Sequence, residues 1–206
     1  TITVQAKDTQ GNDLSSSGGI VTLAEDSATA ALSSVTNNND GTYTATVTNT
    51  IAEDVVISGT VDGNPITSGN KIITFTPGVV SATQSTISVS PASVTADGNA
   101  SSTITVLAKD AQGNNLNSSA GLVTLAEDSA SATLSSVTDN NNGTYTATIT
   151  NTLAEEVIIS GTIDGNNITS GNPNISFTPG AVSADQTAIS VSPASVTADG
   201  SSFSSI

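Results

Sequence analysis

The chain repeats itself without a gap. Asn39-Asp40-Gly41-Thr42-Tyr43-Thr44-Ala45-Thr46 returns as Asn141-Asn142-Gly143-Thr144-Tyr145-Thr146-Ala147-Thr148, and the two tyrosines lie 102 residues apart. The same offset links Lys7 to Lys109, Phe75 to Phe177, Pro77 to Pro179 and Gly98 to Gly200. A gapless repeat of domain size means tandem copies of one folding unit. About 100 residues is an ordinary size for such a unit. A single active site needs no near-copy of its whole domain, whereas a spacer does, because its length is its function.

The repeat is out of phase with the ends of the chain. Ile87 to Gly98 precedes the body that begins at Thr103, and its copy, Ile189 to Gly200, is followed only by Ser201 to Ile206. Thr1 corresponds to Thr103 and has no such segment before it. The expected division is therefore 1–78, a repeat lacking its opening strand; 79–180, a complete repeat; and 181–206, an opening strand for a following repeat. Two readings fit. The chain is an excerpt of a longer tandem array, or it is a subunit whose C-terminal segment completes the first repeat of its neighbour by strand addition. In the second reading Ile189, Val191 and Val196, which match Ile87, Val89 and Val94, fill an apolar groove on residues 1–78. That head-to-tail contact does not close and so builds a filament.

Apolar residues alternate with threonine. Ile104, Val106 and Ala108 alternate with Thr103, Thr105 and Leu107, and Tyr145, Ala147 and Ile149 alternate with threonines from Thr144 to Thr150. A period of two with β-branched residues on the outer face reads as half-buried antiparallel strands. Turn residues separate these runs, as in Asp110-Ala111-Gln112-Gly113-Asn114 and Asp164-Gly165-Asn166. The complete repeat is expected to hold strands near 86–95, 103–109, 121–126, 131–137, 144–151, 155–163 and 174–178. About seven short antiparallel strands per repeat define an all-β sandwich. Val47, Val56 and Val61 become Ile149, Ile158 and Ile163, conservative changes expected to face inward. Tyr43 and Tyr145 are expected to brace the sandwich by returning the hydroxyl to the backbone, as in a tyrosine corner; the alternative is an ordinary core tyrosine. Pro77-Gly78 and the short polar stretch Val79 to Ser85 leave no loose tether, which favours a semi-rigid rod.

Composition narrows the chemistry. Cysteine, histidine, methionine, tryptophan and arginine are absent, which removes most nucleophilic triads and zinc sites. Three lysines against 18 acidic residues give a net charge of −15. Such a chain repels phosphate backbones and anionic headgroups, so nucleic acid is not a partner. No apolar run approaches the roughly 20 residues of a membrane helix, so direct membrane insertion is not expected either. Paired acids recur at Glu25-Asp26 and Glu127-Asp128 and at Glu53-Asp54 and Glu155-Glu156. A glycosidase built on such a pair needs sugar-stacking aromatics, and aromatics are scarce. Calcium takes about six to eight oxygen ligands; the candidates by turn position are Asp97, Asp110, Glu127 and Asp128. Adjacent acids on a strand point to opposite faces, so solvated acidic surface is the simpler reading. No other cofactor is expected.

Three motifs in order, Ser-Pro-Ala-Ser-Val-Thr-Ala-Asp-Gly (90–98 and 192–200), Ala-Lys-Asp-Ala-Gln-Gly-Asn (108–114) and Asn-Gly-Thr-Tyr-Thr-Ala-Thr (142–148), resemble the bacterial Ig-like repeats of the invasin and intimin adhesins. The resemblance spans the whole chain. It implies an Ig-like sandwich in the extracellular stalk of a bacterial surface protein, with no catalytic role. The expected partners, from the repeat and its phase, are neighbouring identical repeats in cis or as successive subunits; the resemblance does not identify a host receptor.

Overall fold

The computed structural model describes residues 1–206, and every regular element in it is a strand. In the second repeat, one sheet runs in the order Thr86–Ser90, Ser101–Leu107, Thr144–Thr150, Thr133–Leu134, and Thr138–Asp139 also pairs with Thr144–Thr150. The facing sheet runs Ser93–Thr95, Asn174–Thr178, Glu156–Ile163, Val123–Glu127, with Asn166–Asn167 on the Glu156–Ile163 strand. Ile104, Val106, Tyr145 and Ile149 from the first sheet meet Val157, Ile159, Ile163, Ile175 and Phe177 from the second in one buried cluster. The alternation in sequence is the cause: in Ser101–Leu107, Ile104 and Val106 are buried while Thr103 stays in solvent. The outer faces carry hydroxyl pairs such as Thr124 with Thr162, 2.6 Å apart across neighbouring strands.

Three expectations require correction. Residues 86–95 are two strands, not one. Thr86–Ser90 pairs with Ser101–Leu107, then the chain crosses at Pro91 and Ser93–Thr95 joins the opposite sheet, parallel to Asn174–Thr178. Proline has no N–H to give to a ladder, so the strand is interrupted there, and the sandwich contains one parallel pair. Residues 131–137 are likewise interrupted. Ser135 exchanges hydrogen bonds with Thr148, its N–H donating to the Thr148 carbonyl at 2.8 Å and its Oγ accepting the Thr148 N–H at 2.9 Å. The side chain replaces a ladder partner and separates Thr133–Leu134 from Thr138–Asp139. Third, Ile158 faces outward and is 44% exposed, whereas Ile149 and Ile163 are buried; its neighbours Val157 and Ile159 occupy the inward positions of that strand.

The first repeat keeps the same registers. Val21 pairs with Val61 as Val123 pairs with Ile163, and Asp54 pairs with Thr74 as Glu156 pairs with Ser176. Its strand Ile2–Gln5 lies beside Thr42–Ala45, and no strand covers its other edge. The consequence is a thin core. Ala6, Val21, Tyr43, Ala45, Val55 and Ile57 are its buried apolar residues, against 15 in the second repeat. Ile2, Val4, Ile66, Ile73 and Phe75 are each partly exposed, while their counterparts Ile104, Val106, Ile168, Ile175 and Phe177 are buried.

The Asn-x-Gly-Thr-Tyr turn is set by close backbone approach. Gly143 has φ +82° and a Cβ there would lie 2.0 Å from the Leu116 carbonyl oxygen; at Gly41 the corresponding contact, with Leu14, is 1.8 Å. Only glycine fits, and the turn delivers Tyr145 and Tyr43 two residues later into the core.

Candidate functional site

Two tyrosines tie the sheets to the loops in front of them. The Tyr145 hydroxyl accepts the Ala120 N–H at 2.6 Å and donates to the Gly121 carbonyl at 3.1 Å. Tyr43 does the same with Gly18 at 2.9 Å and Gly19 at 2.7 Å. The target is the backbone leading into Val123–Glu127 or Val21–Glu25, 24 or 25 residues upstream.

The junction between repeats is held by one acidic loop. Asp110 opens the turn Asp110-Ala111-Gln112-Gly113-Asn114. Its Oδ1 accepts the Gln112 and Asn114 N–H groups, both at 2.9 Å, and its Oδ2 accepts Asn114 Nδ2 at 2.9 Å. The loop then reaches across to the first repeat. The Gly78 N–H donates to Asp110 Oδ2 at 2.8 Å, the Ala52 N–H donates to Asn114 Oδ1 at 3.0 Å, and Asn114 Nδ2 donates to the Thr50 carbonyl at 2.9 Å. Asp110 is buried. Its carboxyl is held down to about 2 by the Asn114 amide first and then by the Gly78 N–H, because hydrogen bonds to the charged form favour it.

The connecting residues are folded onto the second repeat. Val80 bridges to Asp110, and the Ser81 N–H donates to the Lys109 carbonyl at 2.7 Å. The fully buried Ser85 donates its Oγ to the Ser81 carbonyl at 2.8 Å and accepts the Lys109 N–H at 3.0 Å.

The edge of the first repeat carries a groove of about 350 Å³ with a mixed rather than an apolar lining: Ile2, Val4, Leu23, Ile57, Ile66 and Ile73 stand beside polar residues such as Thr3, Gln5, Asn70 and Lys71. In the second repeat, the strand Thr86–Ser90 occupies this place, and the Ile87 side chain packs over Gly161 at 3.2 Å from where a Cβ would stand. Over the matching Gly59, the partly exposed Ile66 stands at 3.1 Å instead.

The copy of that opening segment, 181–206, lies in solvent with Ile189 86%, Val191 51% and Val196 43% exposed. It forms no strand, but its turns match those of residues 79–104. The Ser204 Oγ donates to the Pro193 carbonyl at 2.7 Å as Ser102 does to Pro91, and Asp199 accepts the Ser201 and Ser202 N–H groups as Asp97 accepts those of Asn99 and Ala100. These bonds hold both aspartates below the usual carboxylate range.

The four calcium candidates are not brought together: no three acidic side chains converge anywhere in the chain. Asp97 caps its own turn, Asp110 belongs to the junction, Glu127 accepts the Ser129 N–H, and Asp128 accepts the Ile158 N–H at 2.8 Å. Glu155, which sequence reasoning treated only as one of a pair of acids, is a loop organiser. It collects Ser129, Asn151 and Ser131 on one oxygen, and these partners lower its pKa in that order. Glu53 does the same with Ser27, Thr29 and Asn49. The signal was present in the recurrence of Ser129-x-Ser131 and Asn151 as Ser27-x-Thr29 and Asn49 at the same offset. No helix is long and apolar enough to cross a membrane.

Fold and junction together define tandem Ig-like β-sandwich modules. The family model "Invasin, domain 3" matches residues 1–78 and again 81–180, and the chain belongs to that family. Among solved structures, the chain is similar to InvD of Yersinia pseudotuberculosis at 31% identity and TM-score 0.59, over 92% of this chain and 55% of that one. It is similar to FdeC, an Escherichia coli adhesin, at 26% identity and TM-score 0.63, over 88% of this chain and 59% of that one. It is also similar to invasin, a bacterial integrin-binding protein, at 26% identity and TM-score 0.56, over 86% of this chain and 36% of that one. The chain thus spans between about a third and three fifths of these relatives.

Proposed function

We propose that this chain is a non-catalytic spacer segment in the extracellular stalk of a bacterial surface adhesin. The observation that carries this reading is the junction: Asp110 and Asn114 bind three backbone groups of the preceding repeat, which fixes one repeat against the next without a flexible tether. A stalk element must transmit position, and hydrogen bonds formed at the module boundary resist bending there. The polar outer faces and the charge of −15 keep parallel stalks from associating sideways. Small-angle scattering of the chain tests this reading: a single elongated conformation, two domains end to end, is expected, and a broad spread of interdomain distances contradicts it. A spacer also does not bind integrin. Saturable binding of the purified chain to integrin-bearing cells contradicts the assignment and makes this segment an adhesive tip.

A second reading is favoured by the groove. The Ile2, Val4, Leu23, Ile57, Ile66 and Ile73 surface, together with the exposed Ile189, Val191 and Val196, supports a filament subunit that donates residues 181–206 to residues 1–78 of its neighbour. Each aliphatic side chain so buried contributes about 1.5–3 kcal/mol. Ile189→Asp with Val191→Asp then abolishes polymers; unchanged polymer length rules donation out.

A further inference from the structure

We propose that Asn142 is a site of self-modification: its amide is lost as ammonia through attack by the Gly143 backbone nitrogen, with Thr144 stabilising the oxyanion, and the product is aspartate. The site lies within one repeat and needs no neighbouring molecule.

Asn142-Gly143 is the one Asn-Gly pair in the chain. Glycine has no Cβ to hinder ring closure, and the Gly143 N–H makes no hydrogen bond. Asn142 is exposed, and its Nδ2, the leaving group, is likewise unbonded. Its Oδ1 accepts the Thr144 N–H at 3.0 Å and the Thr144 hydroxyl at 2.6 Å. Two donors on the oxygen that becomes negative when a nucleophile adds to Cγ form a small oxyanion hole. The hydroxyl is oriented for this task, because Thr144 Oγ1 accepts Asn140 Nδ2 at 3.0 Å and turns its own proton to Asn142.

Hydroxide takes the Gly143 N–H proton, and the nitrogen bonds to Asn142 Cγ. The Cγ–Nδ2 bond breaks as water protonates the departing ammonia, which returns the hydroxide. The product is a cyclic succinimide; both reacting groups sit in one dipeptide, so no encounter is needed. Water then opens the ring. Addition at Cγ, the carbonyl that Thr144 polarises, breaks the bond to the Gly143 nitrogen and gives aspartate. Addition at the main-chain carbonyl gives isoaspartate and lengthens the backbone. The turn leaves no slack for that: the Gly143 carbonyl accepts the Ala108 N–H at 2.8 Å, and a Cβ on Gly143 would lie 2.0 Å from the Leu116 carbonyl oxygen.

The first repeat shows that aspartate fits. Asp40 stands at the equivalent position, its Oδ1 accepting the Thr42 N–H at 3.0 Å and the Thr42 hydroxyl at 2.6 Å. These bonds, the hydroxyl first, hold its carboxyl below the usual range. Conversion at Asn142 gives the second repeat the same acidic turn.

The test is incubation of the whole chain in mildly alkaline buffer, followed by peptide mass spectrometry and an isoaspartyl methyltransferase assay. Asn142 is expected to convert first among the asparagines, to aspartate over isoaspartate. Thr144→Val is expected to slow conversion about tenfold, the contribution of one hydrogen bond in the transition state. Thr144→Ser is expected to restore the rate, and both variants to leave the rate in urea unchanged. Where Thr144→Val fails to fold, Asn140→Ala at the exposed orienting amide serves instead, with a slowing of at least about twofold expected. Three results overturn the inference: an Asn142 that stays intact in the folded chain while it converts in urea, a rate indifferent to Thr144→Val and Asn140→Ala, or isoaspartate as the main product.

Discussion

Asn114 of the second repeat accepts the Ala52 N–H of the first at 3.0 Å, and the same amide returns a hydrogen bond to the Thr50 carbonyl at 2.9 Å. One side chain thus reads a donor and an acceptor two residues apart on a neighbouring module. Backbone groups hold their positions in a way exposed side chains do not, which is why this pair underlies the proposal that the repeats are fixed against each other.

The junction is expected to loosen only in strong acid. The Asp110 carboxyl is depressed from an ordinary 3.8 to about 2 in the folded chain. A depressed carboxylate contributes stability that is full above its unfolded pKa and is lost as pH falls through the folded value. Interdomain contacts followed by NMR are expected to be unchanged from neutral pH to about pH 4 and to loosen between 3.8 and about 2. Loosening that sets in at pH 5–6 would assign the junction to other groups.

Tyr145→Phe removes the partner of the buried Ala120 N–H. The expected cost is about 1–3 kcal/mol for an unsatisfied buried donor. Tyr43→Phe is expected to cost less, because Gly18 is only partly buried. Denaturant melts of the two variants, read in the corresponding repeat, check the order; equal or negligible costs would leave both tyrosines as simple core packing.

The first repeat is expected to unfold before the second, given six buried apolar residues against 15. A peptide of residues 181–206 added in trans is expected to raise its melting temperature and leave the second repeat unchanged, since only the first presents the open groove. A scrambled peptide is the control. No shift with the native peptide at millimolar concentration means the groove is not a seat for this segment.

Much of this was legible in the sequence, and the rest was hidden for physical reasons. The period-two pattern locates Ser101–Leu107 and Thr144–Thr150 because each buries one face against the other sheet. The same pattern carries no sign of the crossing at Pro91, since Ile87, Val89 and Val94 are all apolar whichever sheet holds them. Ile158 reads as core by residue type and lies outside because Val157 and Ile159 fix the strand's phase. The contact between the repeats could not be read at all. Asp110 to Asn114 looks like any Asx turn, and its partners are backbone groups of residues 50, 52 and 78, which no residue type announces. The corresponding loop at Asp8, with Thr9 in place of Ala111, is exposed.

Residual dipolar couplings, measured on each repeat of the intact chain and of Asn114→Ala, test the central claim that the junction fixes repeat against repeat. A single alignment tensor for both repeats is expected in the unaltered chain, with two separating tensors in Asn114→Ala and no change in either repeat's own fold. Two independent tensors in the unaltered chain would contradict the claim and make the repeats beads on a flexible string.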